Sequence, residues 1–141
     1  MKIGIMQPYF LPYIAYFSLI NLVDKFIYYD DVQYIKRGWV NRNRIKIGDE
    51  WKYITLPIKK APLSNKINEI FIVDNERETN KIKKSIELNY RKAPFFKEIF
   101  DLLFNHLTPN ANLSDLNIKL ELNFIINFYD SSVSINIIIT Y

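Results

Sequence analysis

The sequence predicts an α/β domain that opens on a parallel βαβ unit and continues into a β-hairpin and a helical region, with the strands in one sheet. Three observations predict it. Short apolar runs at residues 2–7 and 26–29 flank a helix-spaced segment. An alternating stretch folds back on itself around Gly48, Asp49 and Glu50. Three longer segments beyond residue 74 carry helix start and stop signals. The length of 141 residues suits one domain, expected over residues 1–141.

Residues 2–7 form a short apolar run, consistent with a buried strand. Pro8 and Pro12 frame the loop that follows. Pro12 suits a first helical turn, where its missing N–H costs nothing. Residues 13–23 place Ile14, Phe17, Leu19, Ile20 and Val23 near helical spacing. Residues 26–29 form a second strand, closed by Asp30 and Asp31. Two strands joined by a helix at this distance are expected to lie parallel.

Residues 41–56 read as a hairpin, because Arg42–Ile47 alternates toward a turn and Trp51, Lys52, Tyr53 and Ile54 alternate back. Residues 57–65 are an irregular loop, and residues 67–73 are expected to add a strand. Asp74 or Asn75 caps a helix with Glu76 and Glu78 in its first turn and Arg91 and Lys92 at its end. Pro94 stops that helix and opens another over residues 95–107. Asn112 or Ser114 starts a third, to about residue 129. The β-branched run at 133–140 reads as a final strand, either inserted in the sheet or forming an adhesive edge.

Composition narrows the chemistry. Apolar residues make up 49 % of the chain, too many for a disordered segment. There is no cysteine, which removes thiolate catalysis, disulfides and cysteine-ligated zinc. The net charge of +4 suits a phosphate-bearing ligand but is small for a nucleic-acid binder. The first residues lack a secretory core, and no apolar stretch reaches the ~20 residues of a membrane span. A cytoplasmic location is expected.

Two constellations carry chemistry. In open α/β sheets ligands sit beyond the carboxyl ends of the strands, which here bear Gln7 and Tyr9 on one side and Asp30 and Asp31 on the other. The N-terminus of the intervening helix points to the same place and favours an anion. The second constellation, residues 35–44, holds Lys36, Arg37, Arg42 and Arg44 without an acid. Arginine suits bidentate contact with phosphate or carboxylate, and Trp39 offers a stacking face. On a strand starting near Asn41, Arg42 and Arg44 share one side, with Asn41 and Asn43 on the other. The bland reading makes the first set core plus a solvated turn, and the second an exposed hairpin with solvated cations.

Asp30, Asp31 and Gln33 form a third group. One aspartate suits a general base. The pair suits Mg²⁺ only where a phosphate completes its oxygen shell, so the cofactor is left unknown and no metal ligand is assigned. His106, the single histidine, lies far along the chain from these loops, which leaves a Ser-His-Asp triad without support. No GxGxxG or P-loop is present.

The stretch IMQPYFLPYIAYFSLINLVDKFIYYDDVQYIKRGWVNRNRI, followed by Trp51 and the ITLP ending at Pro57, resembles the start of WbqC-like proteins, which are similar to products of bacterial O-antigen and other surface-polysaccharide gene clusters. Gln7, Pro8, Tyr9 and Pro12 match one hallmark run. Asp31, Gln33, Tyr34, Lys36, Trp39, Asn41, Arg42 and Asn43 match the other. The match is close over about the first sixty residues and looser through the helices. The resemblance implies a ligand site at those positions and a glycyl, aminoacyl or acyl transferase acting on a nucleotide-activated amino-sugar. Lys36, Arg42 and Arg44 would then hold the diphosphate. Trp39 and Tyr9 would stack, Gln7, Gln33, Asn41 and Asn43 would orient polar groups, and Asp31 or Asp30 would accept the amine proton. Asp30 and Arg44 rest on position rather than on the motif. Similar proteins continue further, with a portion rich in Tyr, Gly and Phe unlike SSVSINIIITY, so the chain is expected to be a shortened member. Two alternatives stand beside this: a non-catalytic RNA- or anion-binding module, with Trp39 and Tyr34 as stacking platforms, and an inactive fragment that pairs as a homodimer through its last strand.

Overall fold

A computed structural model describes residues 1–128 and 136–139. Strand β1 (Ile3–Met6) leads through helix α1 (Ile14–Leu22) to strand β2 (Lys25–Tyr28). The two strands pair parallel with Gly4 opposite Phe26. Strand β5 (Asn136–Ile139) pairs parallel with the far side of β2, so the order is β1-β2-β5. Of the last predicted strand, residues 136–139 therefore join the described sheet at its edge beside β2, and residues 133–135 and 140 lie outside the described part.

Gly4 is required by the closeness of this pairing. A Cβ there would meet the Phe26 ring at 3.1 Å and Val23 at 3.3 Å. The alternating burial of the neighbouring positions puts Phe26 and Tyr28 in the core. Ile3 and Ile5 stay on an exposed face.

Strands β3 (Arg42–Ile47) and β4 (Glu50–Thr55) form the expected antiparallel hairpin, with Glu50 paired to Ile47 rather than lying in the turn. Gly48, at φ +60°, makes its two-residue turn with Asp49. Positive φ at the first central residue is the requirement of a hairpin turn that glycine meets without strain. The strands occupy two sheets rather than the one expected. The hairpin meets the rest of the chain through side chains and single backbone bonds, such as Phe10 N–H to the Trp39 carbonyl (3.1 Å), and these make no continuous ladder.

Residues 67–73 are not the strand their apolar pattern suggested. They form a single 3-10 turn, Ile67–Glu69, followed by isolated bridges from Phe71 to Asn112 and from Ile72 to Ile58. Their backbone groups are satisfied by separate loops: Ile67 N–H donates to Val32, Ile72 N–H to Ala111, and the Ile70 carbonyl accepts from Leu113. Burial of Ile67, Ile70 and Ile72 thus comes from packing under loops, not from strand alternation.

Helix α2 (Glu76–Tyr90) starts at Asn75, whose side chain accepts from Glu78 N–H at 3.3 Å, as predicted. Arg91 closes it as C-cap. Helix α3 (Phe96–His106) stacks Phe96, Phe100 and Phe104 along one side. Helix α4 (Leu113–Phe128) is capped by Asn112, whose side-chain Oδ1 accepts from Asp115 N–H at 3.2 Å.

Two apolar clusters result, with α4 between them. Leu113, Leu116 and Leu120 join the cluster beneath the hairpin and the irregular loops, with Phe10, Ile54, Leu56, Ile67 and Leu103. Ile118, Leu122 and Phe124 join the aromatic cluster of Tyr16, Phe17, Phe26 and Tyr28 against the parallel sheet. Tyr9 touches both.

Gly4→Val should lower stability by about 1–3 kcal/mol, because an added side chain must displace the Phe26 ring. Ile3→Val, on the exposed face, should stay within about 0.5 kcal/mol. Equal midpoint shifts for the two in urea unfolding would contradict this packing.

Candidate functional site

The residues singled out from sequence fall in different places: some on an outer face of the hairpin, some buried, and some exposed elsewhere. Alternation along β3 and β4 creates the outer face. Arg42, Arg44 and Lys46 stand opposite Thr55, Tyr53 and Trp51. The Arg42 guanidinium lies over the Tyr53 ring at 4.5 Å, and that of Arg44 over Trp39 at 5.6 Å. The Trp39 and Tyr53 rings are 6.3 Å apart and tilted by 32°. Trp39, Trp51 and Tyr53 remain 37 %, 64 % and 53 % exposed. Among the described residues neither arginine has a carboxylate partner. Cations over ring faces gain from the ring quadrupole, and Arg44 keeps its exposed N–H donors for an anion.

The shared face predicted for Arg42 and Arg44 is present, and the asparagines turn inward. Asn41 is buried, accepts from the Tyr34 hydroxyl at 2.8 Å and donates to the Leu56 carbonyl at 2.9 Å. Burial pushes the Tyr34 phenol up, with the Arg42 charge pulling it down. Asn43 donates to the carbonyls of Phe10 (3.1 Å) and Leu11 (2.5 Å). Arg42 donates to the carbonyl of Arg37. Leu11 and Arg37 both hold positive φ, +50° and +65°, a conformation costing on the order of 1 kcal/mol or more outside glycine. The hairpin therefore fixes both left-handed loop residues with its own side chains, and Arg42 is partly committed to that task.

The twin aspartates part company. Asp30 is buried and accepts from the Ser114 hydroxyl at 2.6 Å. Asp31 is exposed and ion-paired with Lys66, whose pKa its carboxylate raises. Gln33 donates to the Leu63 carbonyl at 2.7 Å. Lys36 is exposed and borders a separate cleft of about 420 Å³ with Tyr34, Lys59 and Lys60. The Gln7 carbonyl accepts from the Tyr16 hydroxyl at 2.9 Å. The Tyr9 ring packs on Tyr16 at 5.7 Å, so it is half-buried core rather than an open stacking face. Among the described residues no group of three acidic or histidine side chains could hold a metal ion.

The buried seam was missed from sequence. Ser114, Asn117 and Glu121 lie three and four residues apart, on one side of α4. Among the described residues, they and Asp30 and Asn41 are the buried polar side chains, each at or below 5 % exposed. Asn117 donates to the carbonyls of Pro8 (3.1 Å) and Val40 (2.7 Å). Glu121 accepts from Tyr9 N–H at 3.0 Å. The first loop, Asp30 and the start of the hairpin thus converge on one helix. The signal was available: polar residues at 114, 117 and 121 interrupt the apolar positions 113, 116, 120 and 124 at helical spacing.

Asn117 Oδ1 and Glu121 Oε2 lack a hydrogen-bond partner among the described residues. Burial raises the Glu121 pKa to about 8, against the lowering effect of the Tyr28 and Tyr16 hydroxyls and the Tyr9 N–H. The same burial, together with the Glu121 charge, pushes both phenols up. A carboxyl here is stable chiefly as the neutral acid.

A sequence model of the WbqC-like protein family matches residues 7–138. The uncharacterized protein Rv1507c of Mycobacterium tuberculosis is 40 % identical over 122 residues, covering 84 % of this chain and 52 % of that protein. The chain therefore spans about half the length of this relative. No solved structure matches it. Among the described residues no helix is long and apolar enough to cross a membrane.

Glu121 makes stability depend on pH. Its folded pKa of about 8 lies above the ordinary 4.5, so the folded state binds more protons between those values and stability falls as pH rises through that window. Below it the acid is neutral in both states and the penalty is absent. Urea midpoints should fall from pH 5 to pH 8, and Glu121→Gln should flatten that fall. An unchanged slope in the variant would show that Glu121 is not its source.

Proposed function

The chain belongs to the WbqC-like protein family, and on that premise we propose that its outer hairpin face binds a phosphate-bearing small molecule, a nucleotide-activated amino-sugar, as acceptor of a glycyl, other aminoacyl or acyl group. One observation carries the binding half: two guanidiniums over two aromatic rings, without a carboxylate partner among the described residues. A diphosphate takes the N–H donors of Arg44, with the Arg42 charge beside it. A base or sugar face lies against Trp39 or Tyr53, where flat rings lose little entropy on binding.

The transfer half rests on the family resemblance and on the placing of the carboxylates. Asp30 is enclosed beneath Ser114, and Asp31 is exposed beside Lys66, which supports Asp31 as the proton acceptor. The amine nitrogen attacks the carbonyl carbon of an activated ester or thioester. The new C–N bond forms, the bond to the leaving group breaks with its electron pair, and Asp31 takes the proton lost from nitrogen. Asn41 and Asn43 shape the loop that presents Trp39; their amides are already used within the fold.

Calorimetry against a panel of nucleotide-sugars tests the binding half. Arg44→Gln or Trp39→Ala should each weaken the best ligand about tenfold, the equivalent of ~1.4 kcal/mol. Absence of binding by any nucleotide-sugar to the unaltered chain ends the proposal. A single-stranded RNA that binds more tightly, with steep loss in salt, would replace it with the RNA-binding alternative.

A further inference from the structure

We propose that the groove between the hairpin and α3 is a second binding site, for a soluble molecule that joins a short alkyl or aryl body to a phosphate or carboxylate. The groove has a volume of about 240 Å³ and is lined by Leu11, Ile45, Ile86, Phe96, Phe100 and Leu103, with Arg44 as the charged residue on its wall. An apolar cavity of about 150 Å³ is enough to hold a benzene ring, so this one admits a ring or short chain with some carbons to spare. Its lining offers the body no hydrogen-bonding demand beyond Tyr90.

The head group is specified by charge. Arg44 has no carboxylate partner among the described residues, and its guanidinium reaches over Trp39 at the surface. Tyr90 stands on the same wall. Its hydroxyl oxygen accepts from Lys46 N–H at 2.8 Å, which leaves the hydroxyl proton to donate to an anion. The groove that takes the apolar body is thus lined by a cation and a phenol donor that favour an anionic head group.

A second observation concerns Leu11. It lines the groove in a left-handed conformation, φ +50°, that a leucine rarely adopts. Asn43 holds it there through the carbonyls of Phe10 and Leu11. Strain maintained by a dedicated side chain at the wall of a cavity is characteristic of ligand sites. The neighbouring apolar cleft of about 190 Å³ shares Leu11, Ile99 and Leu103 with this groove.

This inference goes beyond the nucleotide reading and needs only the groove; Arg44 is the residue common to both. Titration of the full chain with octyl phosphate, octanol, inorganic phosphate and uridine diphosphate tests it, with circular dichroism to confirm that each variant is folded. Octyl phosphate should bind at least about tenfold more tightly than octanol or phosphate. Ala93→Phe, which fills the mouth from an exposed position, should abolish that binding and spare uridine diphosphate. Arg44→Gln should reduce octyl phosphate to the affinity of octanol. Trp39→Ala should weaken uridine diphosphate alone, so failure of either site is seen separately. Octyl phosphate no tighter than phosphate, or indifferent to Ala93→Phe, overturns the proposal. So does binding to anionic vesicles without binding of octyl phosphate, which would mark a membrane-facing surface instead.

Discussion

The hydrogen bonds of Asn117 hold the molecule's separate parts in register. One buried amide donates to Pro8, in the loop after β1, and to Val40, just before the hairpin. Removing such a donor leaves two carbonyls to be satisfied in a dry interior, at about 1–3 kcal/mol for each group left unpaired. Ser114 one turn earlier and Glu121 one turn later do the same for Asp30 and the Tyr9 amide. Helix α4 is thus more than a wall between two apolar clusters. Its polar edge is where the loop after β1, the acid after β2 and the hairpin are joined.

That arrangement explains the two roles found among the aspartates and asparagines. Residues directed toward α4 or the loop carbonyls lose their polar groups to the fold. Asp30, Asn41 and Asn43 are of this kind. Those on the opposite side keep theirs, as Arg44 does beside Trp39. A motif rich in Asp, Asn and Arg therefore contains both scaffold and reactive surface, and the strand alternation of β3 separates them. Arg42 lies between the two, with one nitrogen on the Arg37 carbonyl and its plane over Tyr53.

Local pattern made much of this legible. The βαβ order, the hairpin and its glycine turn, and the Asn75 cap each follow from a few adjacent residues, and each is present. The strand expected at 67–73 is absent because its apolar residues serve loops on three sides, which no local window reports. The hairpin's separation from the parallel sheet escaped for a related reason: pairing partners are chosen by the whole chain.

The sequence by itself determined which residue types meet: the wide spacing of aromatics, the acid-free run from residue 35 to 44, and the family to which its motifs pointed. Helical spacing also encoded the seam of Ser114, Asn117 and Glu121, but its partners lie some eighty to a hundred and twelve residues away. Only the tertiary structure decided that Asp30 is enclosed while Asp31 is open, and that Glu121 sits where burial favours its neutral form. Exposure and desolvation are properties of what packs against a side chain, and those neighbours are gathered by folding from across the chain.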